Sequence, residues 1–156
     1  MNKILRYSLI AILAFVCGGA FADTYTYTFE SKTFSAKEET KTLEGIKWTL
    51  ETDAGGFGYD KTKGQQLGTA KAPATSILLS TEAIPGNITS IKVNTSGASD
   101  IAATLDVTVG ETTFGTQYAL TNAAATVAFE GTASGKLTLK YANTSAKAIY
   151  IKSIEV

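Results

Sequence analysis

The 156-residue chain balances fourteen basic against fourteen acidic residues and contains no histidine, one cysteine and one methionine. Lys3 and Arg6 lie in the first 22 residues, so residues 23–156 keep twelve lysines against fourteen acids, a net charge of −2, and no Arg, His, Cys or Met. That composition excludes disulfides, thiol and Ser–His–Asp catalysis and His- or Cys-based metal sites. It also leaves no guanidinium to grip nucleic acid.

The chain opens with MNKILRYSLIAILAFVCGGAFA, which has the pattern of a secretory signal: Lys3 and Arg6, an apolar run from Ser8 to Val16, and Ala20-Phe21-Ala22 as the small-x-small cleavage site. Cleavage after Ala22 is expected, leaving 23–156 as a single exported domain, in the periplasm, at the cell surface or outside the cell. Cys17 follows Val16, a bulky residue where lipidation sites want a small one, so a lipid anchor is disfavoured. No later run is apolar and long enough to span a bilayer.

From residue 23 onward, alternation of period two dominates and no helical stripe stands out. TYTYTFE sets Tyr25, Tyr27 and Phe29 against threonines, and GIKWTLE sets Ile46, Trp48 and Leu50 against Lys47, Thr49 and Glu51. ITSIKVNT, TLDVTVG, the Val127/Phe129 pair and the Leu137/Leu139/Tyr141 triplet repeat the pattern. Pro85-Gly86, Ser96-Gly97, Gly110-Glu111 and Ser134-Gly135 lie between these runs and read as turns. Both prolines, Pro73 and Pro85, fall outside the expected strands. Eight or nine short strands at this spacing predict an all-β, single antiparallel β-sandwich of jelly-roll type. In KAIYIKSIEV, Ile149 and Ile151 share one phase and Ile154 and Val156 the other, which predicts a bulge near Lys152-Ser153.

Chemistry is sparse. A carboxylate pair of the glycosidase kind remains conceivable, but the densest acids, Glu38-Glu39, sit in a KEET segment that reads as a solvated turn, so no enzyme is expected. No cofactor is expected either. The one metal reading is a structural calcium between Glu30 and Glu155 if the terminal strands pair, and Lys152 disfavours it by placing a cation nearby.

The stretch GYDKTKGQQLGTAKAPAT reads as neither strand nor tight turn. With the residues before it, it offers the parts of a sugar site: Tyr59 to stack on a pyranose face, and Asp60, Gln65 and Gln66 to meet its hydroxyls, set among glycines. The same residues also suit a scaffold, in which Gly64 and Gly68 permit a tight backbone path and a glutamine satisfies buried backbone groups. Trp48, in phase with Ile46 and Leu50, reads as core.

The segments YTFESKTFSA, IKWTLE, GYDKTKGQQLGTAKAPATSILLST, IPGNITSIKVNTSG, VTVG with TTFG after it, and KAIYIKSIEV together resemble a recurrent secreted β-sandwich module of Bacteroidota and some Firmicutes. That module is similar to galactose-binding-like jelly rolls and to carbohydrate-binding modules. The resemblance spans nearly all of residues 23–156, but it brings no assigned ligand and transfers no functional residue; the leading expectation is a non-catalytic module that binds glycans through residues 55–68. The alternative function is a structural or protein-interaction component of the cell envelope, in which an uncovered edge strand receives a partner's strand.

Overall fold

The computed structural model describes residues 23–156. The expected signal peptide, its cleavage after Ala22 and Cys17 lie outside the described residues. Ten strands follow in order: β1 (Thr26–Thr28), β2 (Glu38–Leu43), β3 (Ile46–Thr52), β4 (Phe57–Asp60), β5 (Gly64–Leu67), β6 (Ser76–Gly97), β7 (Ala103–Val109), β8 (Thr112–Ala119), β9 (Ala125–Asn143) and β10 (Ile149–Glu155). Every pairing among them is antiparallel.

Two long strands organise the sandwich. β6 and β9 pair with each other from Ser76↔Ala142 to Thr95↔Ala125, and this ribbon belongs to both layers. Its first half pairs with β3 through Ile77–Thr81 and, on the β9 side, with β7, which extends to the β7–β8 hairpin. Its second half pairs with β10 through Lys92–Gly97, and β10 in turn carries β5 and β1 on its other edge. Between the halves the register breaks at Ile84/Ile88, so residues 85–87 bulge out unpaired.

The expected turns at Pro85-Gly86 and Ser134-Gly135 are therefore corrected. Both lie inside strands, and Ile84 pairs with Gly135, so the two signals face each other where the ribbon passes from one layer to the other. Proline survives in β6 because the bulge demands no amide donor from it. Gly110-Glu111 is a turn as expected, closing Val109 onto Thr112, but Ser96-Gly97 is corrected from turn to strand, the last two residues of β6, paired with Tyr150 and Ile149. The C-terminal bulge also stands where expected: the β10–β6 register shifts between Ile151 and Ser153, so that Ile149, Ile151 and Ile154 are all buried.

The core follows the alternation. An inward row, Leu50–Leu79–Leu139–Val107–Phe114, crosses five strands, all five residues being buried. Trp48 is buried beside them, as its phase predicts. One residue over, the outward row runs Thr40–Thr49–Ser80–Thr138–Thr108–Thr113. This row accounts for the threonine-rich composition, because β-branched hydroxyl side chains suit a half-solvated sheet face. The layers are joined by a polar contact as well: Tyr141 Oη lies 3.3 Å from Thr95 Oγ1, and Thr95 Oγ1 donates to the Tyr150 carbonyl at 2.7 Å. Burial pushes the Tyr141 phenol well above its ordinary range.

Candidate functional site

GYDKTKGQQLGT is a hairpin, which corrects its reading as a connection without strand character. β4 and β5 pair from Phe57↔Leu67 to Asp60↔Gly64, and β5 docks on β10. The glycines explain why the pattern is hard to see. Gly64 has φ +85°, and a Cβ there would collide with the Ile151 carbonyl; Gly68 has φ +77°, and a Cβ there would meet the Ala74 amide nitrogen at 2.6 Å. Only glycine lets β5 approach this closely.

The four residues expected to form a sugar site do not converge. Neighbouring residues of a strand point to opposite faces, so Tyr59 and Gln65 share one face of the hairpin while Asp60 and Gln66 share the other. Gln65 is corrected from ligand group to scaffold. It is fully buried, its Oε1 accepts from the Thr33 and Phe34 amides at 2.8 and 2.9 Å, and its Nε2 is shared among the carbonyls of Phe34, Gly58 and Gln66. No hydrogen-bonding capacity is left for a ligand. Asp60 Oδ1 accepts from the Thr62 hydroxyl and from the Thr62 and Lys63 amides, which builds the hairpin turn and holds the carboxyl below its usual range. Gln66 Nε2 donates to the Gly68 carbonyl at 3.0 Å. Tyr59 remains 37 % exposed at the edge.

The calcium reading fails on register. Thr26, not Glu30, stands opposite Glu155, and the Phe29 amide already reaches the Lys152 carbonyl, so Glu30 lies four residues further along. That is roughly 13 Å in an extended strand. Glu155 instead pairs with Lys92 at 2.5 Å. No three acidic, histidine or cysteine side chains gather into a metal-binding group among the described residues. Glu38 and Glu39 lie in β2 rather than in a turn, and Glu39 Oε2 accepts from the Ser35 and Ala36 amides.

A cleft of about 630 Å³ opens where the ribbon changes layers. One wall is the unpaired bulge Pro85-Gly86-Asn87 and the other is the Asp23–Tyr25 segment beside the end of β10. Tyr25 is locked there by backbone bonds in both directions with Val156, 2.9 and 2.8 Å long. Its ring is 37 % exposed, and Tyr25 and Tyr59 are the exposed large hydrophobic side chains among the described residues. Thr89, Ser90, Lys92 and Glu155 complete the polar lining. The Glu155 carboxylate, by accepting from Lys92, raises the ammonium above its ordinary value. Reasoning from sequence missed this site. Tyr25 reads as one more inward aromatic of TYTYTFE, and nothing local reveals that the bulge forms a wall opposite it.

No protein-family model matches the chain, and no curated protein matches it. Solved structures do share its fold. A family 29 carbohydrate-binding module variant complexed with mannohexaose superposes with a TM-score of 0.51 at 8 % identity, covering 86 % of this chain and 91 % of that one. A second variant of that module gives 0.50 at 7 % identity over the same shares. A family two carbohydrate esterase from Cellvibrio japonicus gives 0.49 at 13 % identity, over 86 % of this chain and 33 % of its own. The chain thus spans about a third of that esterase's length.

Proposed function

We propose that the chain is a secreted, non-catalytic module that binds glycans, and that the cleft beside the β6 bulge is its binding site. The observation that carries this is a partly exposed tyrosine, its main chain held by Val156, on the wall of a cleft lined with an amide, hydroxyls and a lysine–carboxylate pair. Aromatic and polar groups together suit a sugar, whose ring has one apolar face and a hydroxyl-bearing rim. The sandwich shared with carbohydrate-binding modules supports the reading, and the pattern of the first 22 residues supports export. Binding to a small contact of this kind is expected at micromolar affinity or weaker, because few atoms are buried.

A glycan array probed with the purified protein, Tyr25→Ala and Tyr59→Ala tests this directly. Loss of binding in a folded Tyr25→Ala supports the cleft. Loss in Tyr59→Ala alone moves the site to the hairpin edge. Silence across the array with the parent protein rejects glycan recognition and favours strand addition along β4, whose outer edge pairs with no strand among the described residues.

A further inference from the structure

On the outward face of the second layer, the register lines up Gly58, Gln66, Tyr150 and Ser96 across four adjacent strands. Lys63, from the β4–β5 turn, reaches over this row. Its Nζ donates to the Gly97 carbonyl at 3.1 Å, to the Asn122 carbonyl at 3.1 Å and to Asn122 Oδ1 at 3.0 Å. It also stands 5.1 Å from the centroid of the Tyr150 ring. Three acceptors and an aromatic face thus converge on one ammonium. Among the described residues no carboxylate lies within salt-bridge distance of it, and the ion pairs involve other lysines. Beside the cluster, opposite Tyr150, the buried Ser96 Oγ has no hydrogen-bond partner. A buried hydroxyl left unpaired is costly, and here it adjoins the Lys63 position.

We propose that the Tyr150 face, the Gly97 carbonyl and Asn122 form a recognition site for a primary ammonium, occupied by Lys63 in the unliganded chain and taken over by the protonated amine of an amino sugar. This deepens the glycan reading and places a second subsite away from the cleft. Lysine resembles such a ligand in its primary ammonium, which here stands over the ring and turns its N–H donors to the oxygens. Release of Lys63 frees the three acceptors, and Ser96, the residue before Gly97, holds its unpaired hydroxyl beside them. Only the Lys63 side chain must swing away, since Asp60 holds the β4–β5 turn itself. Because Lys63 competes for the site, the parent protein binds amino sugars more weakly than a chain without that side chain.

Titration calorimetry with a glucosamine tetramer and its N-acetylated counterpart, at mildly acidic pH, tests the site. Lys63→Ala is expected to bind the glucosamine tetramer about tenfold more tightly than the parent, because the fraction of competent sites rises toward one. The acetylated tetramer, lacking the charge, should show no such gain. Lys63→Met fills similar volume but removes the ammonium from the three acceptors, so it should bind the glucosamine tetramer more tightly than the parent and less tightly than Lys63→Ala. In parallel, n-butylammonium chloride should raise the melting temperature of Lys63→Ala but not that of the parent, whose own ammonium fills the site, with sodium chloride as control. This readout needs no glycan, so it separates failure of this site from failure of the glycan reading, which Tyr25→Ala reports. Equal affinity of parent and Lys63→Ala for the glucosamine tetramer, or no selective butylammonium effect, overturns the proposal.

Discussion

Among single residues, Gln65 shows why polarity misleads a reader of sequence. A glutamine beside a second glutamine and between glycines suggests a surface that meets hydroxyl groups. In the fold, the same amide joins the 33–34 segment to the hairpin, and both of its polar atoms are committed to backbone. The distinction depends on β5 lying inside the sheet, which in turn depends on Gly64 and Gly68 and not on the glutamine itself. Trp48 is legible for the opposite reason, since its phase with Ile46 and Leu50 is local information. Gln65→Ala is expected to strand two amides and several carbonyls in a buried setting and to destabilise the protein by about 3 kcal/mol. Urea denaturation checks this, and a loss below about 1 kcal/mol would return Gln65 to the solvent-facing class.

At the scale of elements, strand content was readable and strand continuity was not. Alternation identifies β1, β3, β7, β9, β10 and the second half of β6, each with one face on the core, but β2, β4 and β5 read as turn or connection. Pro85-Gly86 and Ser134-Gly135 carry turn chemistry, yet each interrupts a strand that continues in the other layer. A turn and a layer-crossing bulge need the same backbone freedom, and only the partner strand distinguishes them. The bulge in β10 was legible because it leaves a mark in the sequence: buried isoleucines change phase across Lys152. Deleting Lys152 should remove the extra residue and turn either Ile154 outward or Ile149 and Ile151 outward. Exposing even one such side chain costs about 2 kcal/mol, and β10 is the partner of β1, β5 and β6 together. The deletion is therefore expected to lower the denaturation midpoint sharply, whereas Lys152→Gly, which keeps the residue count, should cost far less. Similar midpoints for the two would show that register is not what the bulge secures.

For the molecule as a whole, composition and burial together set how stability depends on pH. With no histidine in the chain, no side chain with an ordinary pKa titrates between pH 5 and 8, so stability should be flat there. On the acid side, the hydrogen bond from Lys41, followed by those from the Ser35 and Ala36 amides, holds Glu39 at about 2 against an ordinary 4.5. Asp53, which accepts from the Thr75 hydroxyl and the Thr75 and Ser76 amides, and Asp60 are also lowered. Carboxyls depressed in the folded state stabilise it fully above their unfolded values, and that contribution disappears as pH falls. Stability should therefore decline from about pH 4.5 down to about pH 2, with Glu39 contributing across the whole window. On the basic side the sign reverses. Tyr141 is raised by burial, so the unfolded chain begins to ionise it near its ordinary 10.0 while the folded chain keeps it neutral, and stability falls as pH rises beyond that point. Denaturation midpoints measured from pH 2 to 11 should thus trace a plateau with two shoulders, and Glu39→Gln should flatten the acid one. A step between pH 5 and 8 would contradict this account, because the chain contains no side chain with an ordinary pKa in that range to produce it.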